Sequence, residues 1–276
     1  MILPNFLYIG APKCGSTWFF HALKAHHEIF VPVAKDIYFF DANYQRGLQW
    51  YGSFFRGAKP QEKAVGELSH DYLYSFNAAE RIYRDLSGVR LIACVRNPID
   101  RAVSAYQFMK RNGTAKGGLK ETVRENPKII ERGCYSKFIR HYLDIFGEAR
   151  LKIFLFDDLR HTADSLAHDL YEFLGVQPDF CFEDAKTKFL PASEARIECI
   201  GRAAKKTAAK MRKLGFANVV GFVKYSAINT LLFRPLRAAE RFSIDEMERA
   251  WLRGFFSDDV ERLETILNRD LGAWLK

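Results

Sequence analysis

Gly10-Ala-Pro-Lys-Cys-Gly-Ser-Thr17 sets two glycines five apart between a short apolar run and a segment of helical periodicity. A strand–loop–helix of this kind turns backbone N–H groups and a helix N-terminus toward one point, which suits an anion such as phosphate. A second group, Arg96-Asn-Pro-Ile-Asp-Arg-Ala-Val-Ser104, begins where another apolar run ends. A guanidinium fork and a hydroxyl about two helical turns further on suit a phosphate monoester. Taken singly, the loop also fits a tight strand–helix turn, and Arg96 a structural ion pair. Together they read as two separate phosphate sites on one α/β sheet.

The first loop departs from the nucleotidase pattern G-x-x-x-x-G-K-[ST]. Its lysine is Lys13, inside the loop, and Ser16 stands where the lysine usually stands. The apolar run 91–95 ends in Arg96 rather than in a metal-holding Asp. A P-loop kinase needs Mg²⁺ to neutralise phosphate charge. Here the chain's own Lys and Arg serve instead, and no metal is expected.

These groups need rigid supports. Residues 7–10, 64–68, 89–95 and 151–156 read as buried strands, the third as a continuous apolar run after Arg90. Residues 17–25, 77–86, 98 to about 110, 135–146 and 164–174 have helical periodicity, and Pro98 and Gly175 sit where helices start and stop. Residues 112–120 read as a flexible loop, 176–200 as irregular and the remainder as mostly helical. Alternating strands and helices imply an α/β fold with a central parallel sheet, its ligand site at the strands' carboxyl ends.

On Pro12-Lys-Cys-Gly-Ser-Thr-Trp18 and Arg96–Ser104 the chain resembles the sulfotransferases that use 3′-phosphoadenosine 5′-phosphosulfate (PAPS). Within them it looks most like the carbohydrate type, the heparan sulfate N- and 3-O-sulfotransferases and their bacterial relatives. Weaker echoes are Ala34-Lys-Asp-Ile-Tyr-Phe-Phe-Asp41, Gly66-Glu-Leu-Ser-His-Asp-Tyr72, Gly133-Cys-Tyr135, Asp157-Asp-Leu159, Glu172-Phe-Leu-Gly175 and Asn268-Arg-Asp-Leu-Gly-Ala-Trp274.

The resemblance implies a P-loop-like three-layer fold, with residues 1–276 as a single sulfotransferase domain. Residues 1–190 would be the PAPS-binding core and 191–276 a mainly helical acceptor-side region. It implies that Lys13 contacts the transferred sulfate and that the backbone of Cys14, Gly15, Ser16, Thr17 and Trp18, with the Ser16 and Thr17 hydroxyls, holds the 5′-phosphate. Arg96 and Ser104 would hold the 3′-phosphate. Relatives carry a Glu after the Lys of the second segment; this chain has Lys35-Asp36. Asp36 is therefore the first choice for the general base, with His70 and Glu67 as alternatives. A Lys-Gly-Arg lid loop is absent, and 186–189 is the nearest substitute. The expected reaction is metal-independent transfer of a sulfuryl group from PAPS to an acceptor hydroxyl of a glycan or glycolipid, leaving PAP, the 3′,5′-bisphosphate. A nucleotide kinase, or a catalytically weak nucleotide-binding scaffold of the same fold, is the alternative.

Composition agrees with a globular protein. At 48% apolar and 27% charged residues, the 276-residue chain is neither collagen-like nor disordered. Five cysteines without a Cys-x-x-Cys pair argue against a disulfide scaffold or zinc site, and a reduced, cytoplasmic compartment is expected. The first ten residues lack a basic n-region and read as a strand rather than a signal. The net charge of +9 sits in 196–241, where 11 Lys or Arg face Glu198 and Glu240. Beside it, 214–233 carries only Lys224 but several polar residues, and does not read as a membrane span. A solvated helix face is one reading of 196–241. The sharper one is contact with an anionic acceptor or a membrane surface. No nucleic-acid-binding module is recognisable.

Overall fold

Apolar runs bounded by turn residues form the strands of one parallel sheet in a computed structural model. It describes residues 1–115, 117–183 and 243–276, the backbone of 193–195 and 233–235, and residues 207 and 211. Strands β1 (Phe6–Gly10), β2 (Ile29–Phe30), β3 (Ala64–Leu68), β4 (Arg90–Val95) and β5 (Leu151–Leu155) lie in the order β2-β3-β1-β4-β5. All neighbours are parallel, and Tyr8 stands in register with Leu68 on one side and Ile92 on the other. Every residue of β1 and β3 is buried, as expected of strands covered on both faces.

The strand order reverses at β1. The chain passes to β2 and back through β3 on one side, then to β4 and β5 on the other. The loops leaving β1, β3 and β4 consequently open into one crevice at the sheet's carboxyl edge.

The helices that cover the sheet start and stop where local chemistry directs. In chain order they are α1 (Ser16–Ala25), α2 (Gly47–Gly52), α3 (Phe76–Asp85), α4 (Pro98–Arg111), α5 (Leu119–Glu125), α6 (Lys128–Glu131), α7 (Ser136–Phe146), α8 (Phe156–His161), α9 (Ala163–Leu174) and α10 (Glu246–Leu267). The Asn97 side chain accepts the N–H groups of Ile99 at 2.9 Å and Asp100 at 3.4 Å, and Pro98 supplies the first turn of α4. Gly175 closes α9 at φ 71°.

Three expectations are corrected. The span 112–120 is not all loop: α5 begins at Leu119, because the Glu121 carboxylate reaches back to accept the Gly118 N–H at 3.0 Å. Phe156 is the first residue of α8 rather than the last of a strand. Residues Ser193–Ala195 lie within the stretch read as irregular, yet pair antiparallel with Phe233–Pro235. The lid candidate 186–189 and the five basic side chains between 205 and 213 lie outside the described residues.

Helix α10 returns to the core. Leu252, Phe256, Val260 and Leu263 form its buried stripe at helical spacing, and Phe256 packs where Gly133 has no side chain. The buried Asp259 carboxylate accepts the Ser136 N–H at 3.2 Å, locking α10 to the start of α7. No helix among the described residues is long and apolar enough to cross a membrane.

Candidate active site

The loop after β1 has the backbone of an anion cradle. Lys13 at φ 69° and Gly15 at φ 87° alternate with ordinary residues, which turns successive N–H groups inward ahead of α1. Gly15 meets two demands at once. Its φ favours glycine, and a Cβ there would lie 2.6 Å from Leu159 Cδ2. Among the described residues no side chain caps the first turn of α1, and the helix N-terminus favours an anion there.

Side chains of this loop divide into those that face the crevice and those that anchor it. Ser16 and Thr17 are half-buried at the helix start. Trp18 is buried, edge-on to Phe19 and Phe182, so only its backbone belongs to the cradle. Cys14 is also buried, with Sγ 3.9 Å from Tyr135 Oη, and burial pushes its thiol up to about 11. It remains a protonated anchor.

Among the cations near the loop, three bear on the site. Lys13 Nζ lies 4.6 Å from the centre of the Phe108 ring, one turn beyond Ser104 on α4, which puts Ser104 on the face of α4 turned to the loop. Arg96 leaves β4 with its guanidinium over the Phe156 ring at 4.6 Å; Nη1 is 3.4 Å from the Lys13 carbonyl and Nη2 is 3.5 Å from Asp100. Among the described residues its Nε is buried without an acceptor, a donor suited to an incoming anion.

The third cation is one that spacing did not single out. Lys35 is 6% exposed, and its ammonium donates to the Ser16 carbonyl at 3.0 Å and to Ser16 Oγ at 3.4 Å. Its signal was the echo Ala34–Asp41, in which Asp36 drew the attention.

Asp36 and His70 meet across the crevice. They sit on loops after β2 and β3, yet His70 Nδ1 is 2.7 Å from Asp36 Oδ1. His70 Nε2 is 3.1 Å from Tyr38 Oη, so both ring nitrogens have partners. Burial first, and then the charge of Asp36, hold the Tyr38 phenol protonated far above the ordinary range.

Glu67 is different in kind. It is completely buried, and its oxygens accept from Ser69 Oγ at 2.6 Å, Tyr72 Oη at 2.8 Å and Tyr51 Oη at 3.3 Å. Burial raises its carboxyl to about 7, against the lowering effect of the three hydroxyls.

The C-terminal tail closes the far side. Trp274 Nε1 donates to Asp157 at 2.7 Å, Asn97 Nδ2 donates to the Trp274 carbonyl at 3.1 Å, and Arg269 pairs with Asp158 at 3.2 Å. Two of the weaker echoes are thus one clasp. Among the described residues, the group with metal-ligand spacing is His168, Asp169 and Glu172, exposed on α9 and outside the crevice loops.

The family model for the sulfotransferase domain matches residues 3–193. The chain is similar to a membrane-associated sulfotransferase of Dictyostelium discoideum, 30% identical over 48% of this chain and 30% of that protein. It is 34% identical to heparan sulfate glucosamine 3-O-sulfotransferase 5 of Mus musculus over 52% of this chain and 45% of that protein. The chain thus spans less than half the length of these relatives. Its fold matches the crystal structure of a sulfotransferase from Alicyclobacillus acidocaldarius, with a TM-score of 0.74 at 24% identity over the whole of both chains. Nothing among these matches favours a kinase. The matched span contains every loop of the crevice, and the chain belongs to the sulfotransferase family.

Proposed function

We propose that this chain transfers a sulfuryl group from PAPS to a hydroxyl of a glycan acceptor. The observation that carries the reading is the meeting of two halves in one crevice. Lys35 bonds Ser16 of the anion cradle, its chain neighbour Asp36 pairs with His70, and Arg96 reaches the Lys13 carbonyl.

The donor carries its activated sulfuryl group on the 5′-phosphate and a separate phosphate on the 3′ position. Lys13 would stabilise charge that builds on the leaving phosphate oxygen as the S–O bond breaks, work done mainly in the transition state. The backbone of Cys14 to Trp18 and the Ser16 and Thr17 hydroxyls would hold the 5′-phosphate, with Lys35 fixing Ser16 from behind. Arg96 and Ser104 would take the 3′-phosphate, Arg96 through the fork and the Nε that lacks an acceptor among the described residues.

Asp36 is assigned the acceptor's proton. His70 Nδ1 lies against Asp36 Oδ1 and its Nε2 bonds Tyr38 Oη, an arrangement in which His70 would orient Asp36. Glu67 is buried out of reach of an acceptor.

The acceptor reading draws on what the relatives are named for: one a heparan sulfate glucosamine 3-O-sulfotransferase, another a membrane-associated sulfotransferase. A glycan or glycolipid is the corresponding acceptor here. The basic segment 196–241 would meet anionic groups on the acceptor or at a membrane surface.

Two measurements test the reading. The nucleotide 3′,5′-adenosine bisphosphate should raise the melting temperature without Mg²⁺, and ATP with Mg²⁺ should not. Labelled sulfate from PAPS should appear in extracted glycans or glycolipids. Stabilisation by ATP–Mg²⁺ alone would return the kinase reading, and labelling of simple phenols alone would overturn the acceptor class.

A further inference from the structure

The segment 36–40 holds an uncommon backbone. Asp36 lies at φ 63° and Tyr38 at φ 51°, both in the left-handed region, which a bulky residue such as Tyr seldom occupies. Such a conformation persists only where surrounding structure over-determines it. What over-determines it here is the end of β3 and the residues that follow. The Asp36 N–H donates to the Leu68 carbonyl at 2.8 Å and the Tyr38 N–H to Ser69 Oγ at 3.0 Å. The Phe40 N–H reaches Tyr72 Oη at 3.3 Å.

Two of those three acceptors are hydroxyls that share one destination. Ser69 Oγ and Tyr72 Oη each give their only proton to the buried Glu67 carboxylate, at 2.6 and 2.8 Å. A hydroxyl committed as a donor in this way presents its lone pairs to a backbone N–H. Glu67 therefore aims both hydroxyls at the segment that carries Asp36.

We propose that Glu67, Ser69 and Tyr72 form a buried anchor that positions the base, with Ser69 as its direct link. None of them touches a substrate; they act through Asp36. The proposal rests on the assignment of Asp36 as base, and the test separates the two.

Ser69→Ala should lower kcat by about 10²-fold, the scale of an ångström-sized misplacement, with the KM for PAPS and the affinity for 3′,5′-adenosine bisphosphate unchanged. Tyr72→Phe, which removes one oxygen, should lower kcat in the same selective way but less. It also carries the test should Ser69→Ala fail to fold. The double variant Asp36→Asn with Ser69→Ala should be no slower than Asp36→Asn alone, because a misplaced base that is already absent costs nothing more. A structural role independent of the base would multiply the two losses, and that result overturns the anchor. If Asp36→Asn is severe and both anchor variants keep full kcat, the anchor fails and the base stands. If Asp36→Asn is itself harmless, the base assignment fails, and the anchor with it.

Discussion

Lys13 and Arg96 lie on one side of the crevice, but they are asked for different work, and mutation should separate them. Lys13→Ala should depress kcat far more than it weakens binding of 3′,5′-adenosine bisphosphate, since its contribution grows as the leaving oxygen gains charge. An equal loss in both would make Lys13 a binding residue only. Arg96→Ala should weaken that nucleotide strongly and abolish discrimination against its 3′-dephospho analogue, measured by calorimetry. For the base, Asp36→Asn should cost about 10²–10⁴-fold in kcat and leave nucleotide binding intact. A milder effect than that of His70→Ala would exchange the two roles. Lys13 and Arg96 were legible in the sequence because each stands beside its own turn signal, Gly15 or Pro98. The pairing of Asp36 with His70 was not. The two residues were candidates separately, but a contact between residues 34 positions apart on irregular loops has no periodicity to betray it. Lys35 was overlooked for a related reason, since one lysine has no spacing of its own.

Among the elements, long periodic ones could be read and short ones could not. The four longer strands and helices α1, α3, α4, α7 and α9 lie within a residue or so of their sequence-based bounds, because each repeats an apolar pattern or ends on Pro or Gly. Strand β2 has two residues, and helices α2, α6 and α8 are four to six residues long, too short for a period to register. The loop between β1 and α1 makes a prediction at this scale. Gly15→Ala asks an L residue to adopt φ 87° and puts its methyl 2.6 Å from Leu159. The loop should rebuild at a cost of about 1–3 kcal/mol, seen as a lower urea midpoint, and affinity for 3′,5′-adenosine bisphosphate should fall with it. Retention of both would show that the glycine serves neither the turn nor the cradle.

Across the whole molecule, distant segments are tied by polar contacts that no local pattern announces, such as the Trp274 clasp on the starts of α4 and α8 and the seat of α10 on α7. Another such tie joins the end of α1 to the segment after α9, and its protonation can be followed. His26 is buried, with Nε2 2.9 Å from the Gln177 carbonyl and Nδ1 accepting the Glu28 N–H at 3.1 Å. Only a neutral ring satisfies both, and burial holds its pKa below the usual 6.5. A depressed histidine adds stability that is complete above pH 6.5 and is lost as pH falls through its folded value. Glu67 works in the opposite sense. Its carboxyl is raised by burial from 4.5 to about 7, so its contribution is complete below pH 4.5 and is lost as pH rises through 7, on the order of 3 kcal/mol in all. Between pH 5 and 7 the two groups therefore pull the stability curve in opposite directions. Glu67→Gln should remove the falling component, so that urea midpoints rise with pH across this range. His26→Asn should remove the rising one, so that they fall. Parallel curves for wild type and both variants would mean that neither group changes its proton affinity on folding, and that the buried carboxyl beneath the Asp36 loop is ionised throughout.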